Sequence, residues 1–244
     1  MEGNRMSRGR RQKRFWKDVA IAAEGDGFAV ELDGRRIQTP ARAALILPTR
    51  AMAQAVAAEW DAQTDTVDPA TMPVTRSANA AIDKVRPQHA EVADMLAAYG
   101  DSDLLCYRAE GPAGLCDRQS VAWDPALDWA ETALGARLRT RIGVVHQPQD
   151  AAVLGSLSAQ VHGLDPFRLA AFHDLVSLSG SLILGFAAAM DWRDAQTIWD
   201  LSRVDETWQQ ELWGIDDQAA AATEIRRLAF LDAKRVHDLC RQQH

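Results

Sequence analysis

Hydrophobic and polar residues alternate along the first third of the chain, and the alternation predicts strands. Lys17–Ala23 places Val19 and Ile21 on one face, and Phe28–Leu32 runs into Asp33-Gly34 and then Arg35–Thr39. An Asp-Gly pair between two such runs predicts a two-residue type I′ hairpin, because that turn needs positive φ, which glycine adopts without a Cβ clash. A short strand over Ala44–Leu47 is expected between Pro40 and Pro48. Thr49 then caps a helix running to about Gln63, with Met52, Val56 and Trp60 four residues apart on one face. Thr64–Pro73, rich in Thr, Asp and Pro, reads as a loop.

Beyond Pro73 the period changes from two to nearly four. Helices are expected over Thr75–Val85, Pro87–Tyr99, Gln119–Leu134 and Ala151–His162. Asp165-Pro166 opens another as a cap followed by proline at the first helical position; it carries Leu169, Phe172 and Val176 and turns or continues at Ser179-Gly180. Ser181–Met190 is apolar all round and should be the central helix of a bundle. Asp191 is expected to cap a helix over Trp192–Trp213, with Asp194 as a box-like partner, and Gly214 to end it before a closing amphipathic helix at Asp216–Arg241. Leu104–Arg108 and Arg141–Val145 read as short β-like runs. The expected fold class is α+β: a basic tail at 1–14, a small β-rich α/β domain at 15–88, and a larger all-helical bundle at 89–244.

Composition narrows the function classes. The formal charge is −7 over 244 residues, yet Arg5–Lys17 carries seven basic residues and no acid, so the rest of the chain is strongly acidic. General nucleic-acid binding is not expected. The longest apolar run is too short to span a bilayer, so no membrane insertion is expected. Cys106, Cys116 and Cys240 are odd in number and widely spaced, which suits a reducing compartment. Eight tryptophans against six Phe and two Tyr are the unusual feature. Each brings a large ring and an N–H that needs a partner.

The spacings that enzymes require are missing. There is no Gly-Lys-Ser/Thr loop, Gly25-Asp26-Gly27 precedes a strand where a dinucleotide site needs a helix, and no two histidines fall three or four apart. No cofactor, metal or small-molecule substrate is expected. A rival reading is a small hydrolase or transferase using Cys106 or His173/Ser181. Adjacent helical residues point about 100° apart, however, so His173 and Asp174 do not read as a base and its orienting acid.

The segment Trp192–Trp213 is more informative. One stripe is Ile198, Leu201, Asp205, Trp208, Leu212, and its neighbour is Trp199, Ser202, Glu206, Gln209, Trp213. Each has a carboxylate in the middle of an apolar and indole face. Such an acid needs a partner, with Arg203, Arg226 and Arg227 available, or it belongs to a half-exposed aromatic docking surface. Glu59-Trp60-Asp61 shows the same duality, with Trp60 anchoring helix to sheet. Trp123 is expected just before a helix cap at Asp124, with Trp129 in the second turn. Trp16 and Trp192 receive no assignment.

Several motifs, in order, resemble the ATP synthase assembly chaperone family. They are Leu32-Asp33-Gly34-Arg35 with Thr39-Pro40, Leu47-Pro48-Thr49, Glu59-Trp60-Asp61-Ala62-Gln63, Met72-Pro73-Val74-Thr75, and Asn79 with Asp83. The similarity continues through Leu104–Arg108, Trp123-Asp124-Pro125, Asp128-Trp129, Leu178–Ser181, Leu201-Ser202-Arg203, Asp205-Glu206 and Trp213-Gly214. The resemblance implies a non-enzymatic chaperone that binds the free alpha subunit of the catalytic head, shields its subunit interface and releases it for assembly with beta. It implies that the functionally important acid of the helical domain is Asp205 or Glu206, and the two stripes place Trp199, Trp208 and Trp213, with Arg203, around that acid as the expected partner-binding groove. It assigns Trp60, Glu59, Asp61, Asp33 and Gly34 to structural motifs. Richness in Ala and Arg with little Lys looks bacterial, and the basic stretch is shorter than a usual mitochondrial presequence. The expected location is cytoplasmic, or the mitochondrial matrix for a eukaryotic member.

Overall fold

The computed structural model describes residues 13–241, so the expected basic tail at 1–14 lies almost wholly outside the described residues. The chain opens with an antiparallel sheet of β1 (Val19–Glu24), β2 (Gly27–Leu32), β3 (Arg35–Arg36) and β4 (Ile46–Leu47). β2 is central. β1 lies along one edge with Val19 opposite Leu32, while β3 and β4 share the other edge, at Glu31-Leu32 and at Phe28-Ala29. Asp33 and Gly34 have φ of 48° and 76°, the left-handed pair that a type I′ turn requires. Asp33 Oδ1 accepts from the backbone N–H groups of Lys17 and Asp18 at 3.0 and 2.9 Å, and these donors hold its carboxyl below the usual range. The third strand is shorter than Arg35–Thr39; past Arg36 only Gln38 bridges, to Ala44.

α1 (Arg50–Asp61) packs on this sheet with Met52 and Val56 fully buried. Thr49 caps it, accepting from Met52 N at 3.1 Å, and its hydroxyl donates to Leu239 O at 2.6 Å near the chain's end. Half-buried Trp60 packs on Trp16, with ring centroids 5.2 Å apart. Trp16, unassigned from sequence, is 3% exposed and therefore belongs to the same cluster.

The spacing of the motifs now has a physical cause. Glu59 reaches the N-terminus of α2 (Pro73–Ala80), accepting from Val74 N, Thr75 N and Thr75 Oγ1 at 2.7–2.8 Å. Gln63 donates to Glu59 O and Thr71 Oγ1 and accepts from Asp68 N, which closes the intervening loop. Asp83, in a π turn at Ala81–Val85, accepts from Thr39 Oγ1 at 2.6 Å and Ala41 N at 3.0 Å. Glu59 thus ties its motif to Met72-Pro73-Val74-Thr75, and Asp83 ties its own to Thr39-Pro40, by bonds that satisfy a helix start or a turn.

The helical part comprises α3 (His89–Ala97), α4 (Ala113–Leu134), α5 (Ala151–His162), α6 (Pro166–Ser179), α7 (Leu182–Ala189), α8 (Ala195–Leu201), α9 (Val204–Trp213) and α10 (Asp217–Arg241). Every residue of α7 is buried, as its all-round apolar sequence predicts, and α6 and α10 pack against it. At Gly185 an added Cβ would lie 2.5 Å from Val176 Cγ2, so glycine is what permits the close approach of α6 and α7. Buried Asp103 accepts from Leu105 N, Ser181 Oγ and Ile183 N at 2.8–3.1 Å, joining the turn Leu104–Cys106 to the start of α7. Burial pushes its pKa up to about 6 against those donors. The fold is α+β, a small sheet followed by helices.

Three expectations are corrected. Trp192–Trp213 is not one helix: Asp191 adopts φ 57°, Asp194 is the cap of α8 through Thr197 N, and a turn at Ser202-Arg203 separates α8 from α9. Trp123 does not precede a helix start but lies fully buried within α4, which begins at Ala113 and carries Pro125 in its interior. The β-like runs are shorter than expected, β5 (Tyr107–Arg108) pairing in parallel with β6 (Arg141–Ile142), and Leu104–Cys106 is a 3₁₀ turn.

Candidate protein-docking site

α9 is held by α4 on one side and by the turn after α8 at its start. Within that turn, Ser202 Oγ donates to Trp199 O at 2.6 Å, and Trp123 Nε1 donates to the carbonyl of Leu201 at 2.8 Å. Trp199 is 2% exposed and packs on Phe230 of α10. It is therefore a core residue and does not line a groove with Trp213. Arg203 lies over the Trp199 ring, 5.2 Å from its centroid, and pairs with Glu206 at 3.0 Å. Burial lowers the Arg203 pKa, and Glu206 opposes that effect.

The two adjacent acids occupy different settings. Asp205 Oδ1 accepts from Gln119 Nε2 of α4 at 2.6 Å, and the buried Gln119 in turn accepts from Ala109 N at 2.8 Å. Asp205 is the outer link of a chain that ties α9 to α4 and to the segment before it. Glu206 is exposed beside Arg203. Trp208, half-buried, leans on Gly114, where a Cβ would meet its ring at 3.0 Å, and Arg118 covers the ring at 4.9 Å. Arg118 also pairs with Glu211 at 2.8 Å. Gln119, Arg118 and Gly114 were not legible as part of this arrangement, because no local pattern links α4 to a helix some 90 residues later.

The outward end of α9 is apolar. Leu212 is 57% exposed, Trp213 78%, and Ile215 in the following turn 68%; Ile225 and Leu228 on α10 are exposed as well. Large apolar side chains left in water on neighbouring elements mark surfaces that meet another protein. Of the expected site residues, the structure puts Arg203 just before α9, brings Asp205, Glu206 and Trp208 onto its first two turns, and leaves Trp213 at its tip.

The enzymatic alternatives fare differently. Cys106 is fully buried, and burial, reinforced by Asp103, pushes its thiol up to about 12. Ser181 is sealed in the core as the cap of α7, bonded to Asp103. His173 Nδ1 does lie 2.9 Å from Asp174 Oδ1, contrary to the expectation that neighbouring helical residues would not meet. That pair sits on the surface, bordering a cleft of about 650 Å³ together with Arg76, Lys84 and Asp232, and Ser181 is not in the cleft. Among the described residues, no group of His, Cys, Asp or Glu is arranged to hold a metal ion, and no helix is long and apolar enough to cross a membrane.

A small sheet whose motifs cap one another, a helical bundle, and a short helix with an exposed apolar tip suit a protein that binds another. The comparisons agree. Residues 13–131 match the model of the ATP12 chaperone protein family. The crystal structure of Atp12 from Paracoccus denitrificans is 50% identical, covers 94% of this chain and 98% of that one, and superposes with a TM-score of 0.92. A candidate chaperone from Agrobacterium tumefaciens is 40% identical, with 93% of this chain and 85% of that one covered and a TM-score of 0.89. The mitochondrial protein atp12 of Schizosaccharomyces pombe is 25% identical over 214 residues, which are 83% of this chain and 74% of that one. The chain belongs to the ATP12 chaperone family. It is a chaperone and not an enzyme.

Proposed function

We propose that this chaperone assists ATP synthase assembly by binding the free alpha subunit of the catalytic head, covering the surface that later meets beta, and releasing it. The observation that carries this reading is the exposed apolar end of α9 and its following turn, Leu212, Trp213 and Ile215, on the same short helix as Glu206. Apolar area supplies affinity, and an acid already paired with Arg203 supplies orientation at modest strength, which suits a partner that must leave. In this reading the helical part at 89–244 docks, the α/β part at 15–88 braces it, and the protein acts in the cytoplasm. Co-expression with the alpha subunit tests it. Wild-type chain should keep the subunit soluble and co-purify with it, and the double variant Leu212→Ser, Trp213→Ser should lose capture without a change in melting temperature. Equal capture by that variant would remove α9 from the interface, and no capture by wild type would remove the alpha subunit as partner.

A further inference from the structure

A second cavity, of about 450 Å³, lies away from α9 between the α5–α6 turn, α7 and the end of α10. That volume is within the range of about 300–1,000 Å³ in which small ligands are held. Its polar wall is Gln160 of α5, Arg168 of α6, and His237 and Arg241 of α10, and its apolar wall includes Phe172, Phe186 and Met190. No carboxylate lines it. The nearby acids are already engaged: Asp165 takes Arg168 Nε and two backbone N–H groups, Asp191 takes Lys234 and Arg241, and Asp238 takes Lys234. Each arginine is oriented by those contacts and keeps guanidinium N–H groups to spare. Arg168 bonds through Nε, and Arg241 through Nη1 to Ala189 O and Asp191.

His237 is the feature that folding does not explain. It is 3% exposed, neither ring nitrogen has a hydrogen-bond partner, and the nearest acid oxygen, on Asp238, is 4.0 Å away. Trp16 Nε1, Trp60 Nε1, Asn79 Oδ1 and Arg141 Nε are also buried without a partner, but none of those side chains lines this cavity or the cleft at His173, whereas His237 stands in the cavity wall, where an orphan points to a group that completes it. Burial first, then Arg241, Lys234 and Arg168, lower its pKa to about 4 against the pull of Asp238, so the ring is neutral and offers one N–H. Two arginines and a neutral, unpartnered imidazole line one cavity together with two phenyl rings, the chemistry of an anion receptor with an apolar floor.

We propose that this cavity binds a small carboxylic acid with an apolar body, its carboxylate between Arg168 and Arg241 within reach of His237, and its body on Phe172, Phe186 and Met190. The site binds and does no chemistry, and it is independent of the docking face on α9. The test uses the full chain with carbon-13-labelled histidine, titrated with hexanoate and with hexan-1-ol as the neutral control. Hexanoate should move the His237 ring signals saturably, with a Kd below about 10 mM, and hexanol should not. Arg168→Gln should weaken hexanoate at least about fivefold by removing one guanidinium, with an unchanged melting temperature. Arg241→Lys, which keeps the charge but not the fork, should weaken it less than Arg241→Gln. An acetylated dipeptide ending in Phe, with its carboxyl free or amidated, separates the two sources of this chemistry. Tighter binding of the free-acid peptide than of hexanoate assigns the site to a chain terminus, and the reverse assigns it to a free acid. No saturation by either acid, equal binding of hexanol, or an unaffected Arg168→Gln variant would overturn the proposal.

Discussion

Asp205 and Glu206 are adjacent in sequence and predicted to respond unequally to truncation. Asp205→Ala removes the acceptor of a 2.6 Å bond from Gln119, a side chain 2% exposed. A hydrogen bond to a charged group contributes about 1.5–3 kcal/mol, and the buried amide left behind has no second acceptor to turn to. The expected loss is about 2 kcal/mol, which for a chain of this size lowers Tm by about 4–8 °C. Glu206→Ala removes one exposed pair with Arg203, whose Nε remains bonded to Ser202 O, and should change stability by about 0.5 kcal/mol or less. Urea unfolding followed by indole fluorescence measures both, with the midpoint shifting at constant m. Gln119→Leu closes a double-mutant cycle: in that background Asp205→Ala should cost at least about 1 kcal/mol less. Asp205→Lys should lose both stability and capture of the alpha subunit, since an ammonium would face the Gln119 donor, whereas Glu206→Lys should lose capture alone. An Asp205→Ala midpoint indistinguishable from wild type, or no coupling to Gln119, would refute the assignment of Asp205 to the α4–α9 joint.

Two further outcomes are expected. Glu59→Ala strips three bonds from the start of α2 and should destabilise the chain by about 3 kcal/mol in urea, with the Trp60 environment changed and α9 unaffected. Stability against pH should show two opposed contributions. Asp103 titrates near 6 when folded against 3.8 when unfolded, so the folded state binds more protons between those values and stability falls as pH rises through the window. His237 titrates near 4 when folded against 6.5, so the unfolded state binds more protons and stability is lost as pH falls through its window. Each is about 3 kcal/mol and they nearly cancel between pH 4 and 6. Asp103→Asn should leave a profile that rises with pH there, and His237→Phe one that falls; a flat profile in both variants would contradict the burial of these groups.

Much of the first third was legible because its determinants are local. Asp33-Gly34 sets its own turn, Thr49 caps the helix it precedes, and period-two and period-four patterns mark β1, β2 and α1. The helical elements with caps inside the same segment, Asp165-Pro166 at α6 and Gly214 after α9, were equally plain. Where the reading failed, the deciding contact is distant. Asp191 resembles a cap, but Lys234 and Arg241, more than forty residues on, hold it in a left-handed turn, and the cap passes to Asp194. Pro125 resembles a helix start, but α4 runs through it because Trp123 is packed in the core and bonded to Leu201 O.

The same distinction governs the proposed docking face. A heptad stripe places residues on one face only while the helix is continuous, and the turn at Ser202-Arg203 rotates α9 relative to α8. Trp199 therefore enters the core while Trp213, two heptads further along the same stripe, stands 78% exposed. Neither periodicity nor charge separates Asp205 from Glu206; a glutamine on another helix does. Gly114 admits the Trp208 ring, and Gln119 claims Asp205, so α4 fixes which side of α9 is left exposed. A substitution on α4 that moves this joint, Gly114→Leu for example, should accordingly weaken partner capture without touching a single residue of the docking face, and capture at wild-type strength by that variant would show that α9 does not depend on α4 for its placement.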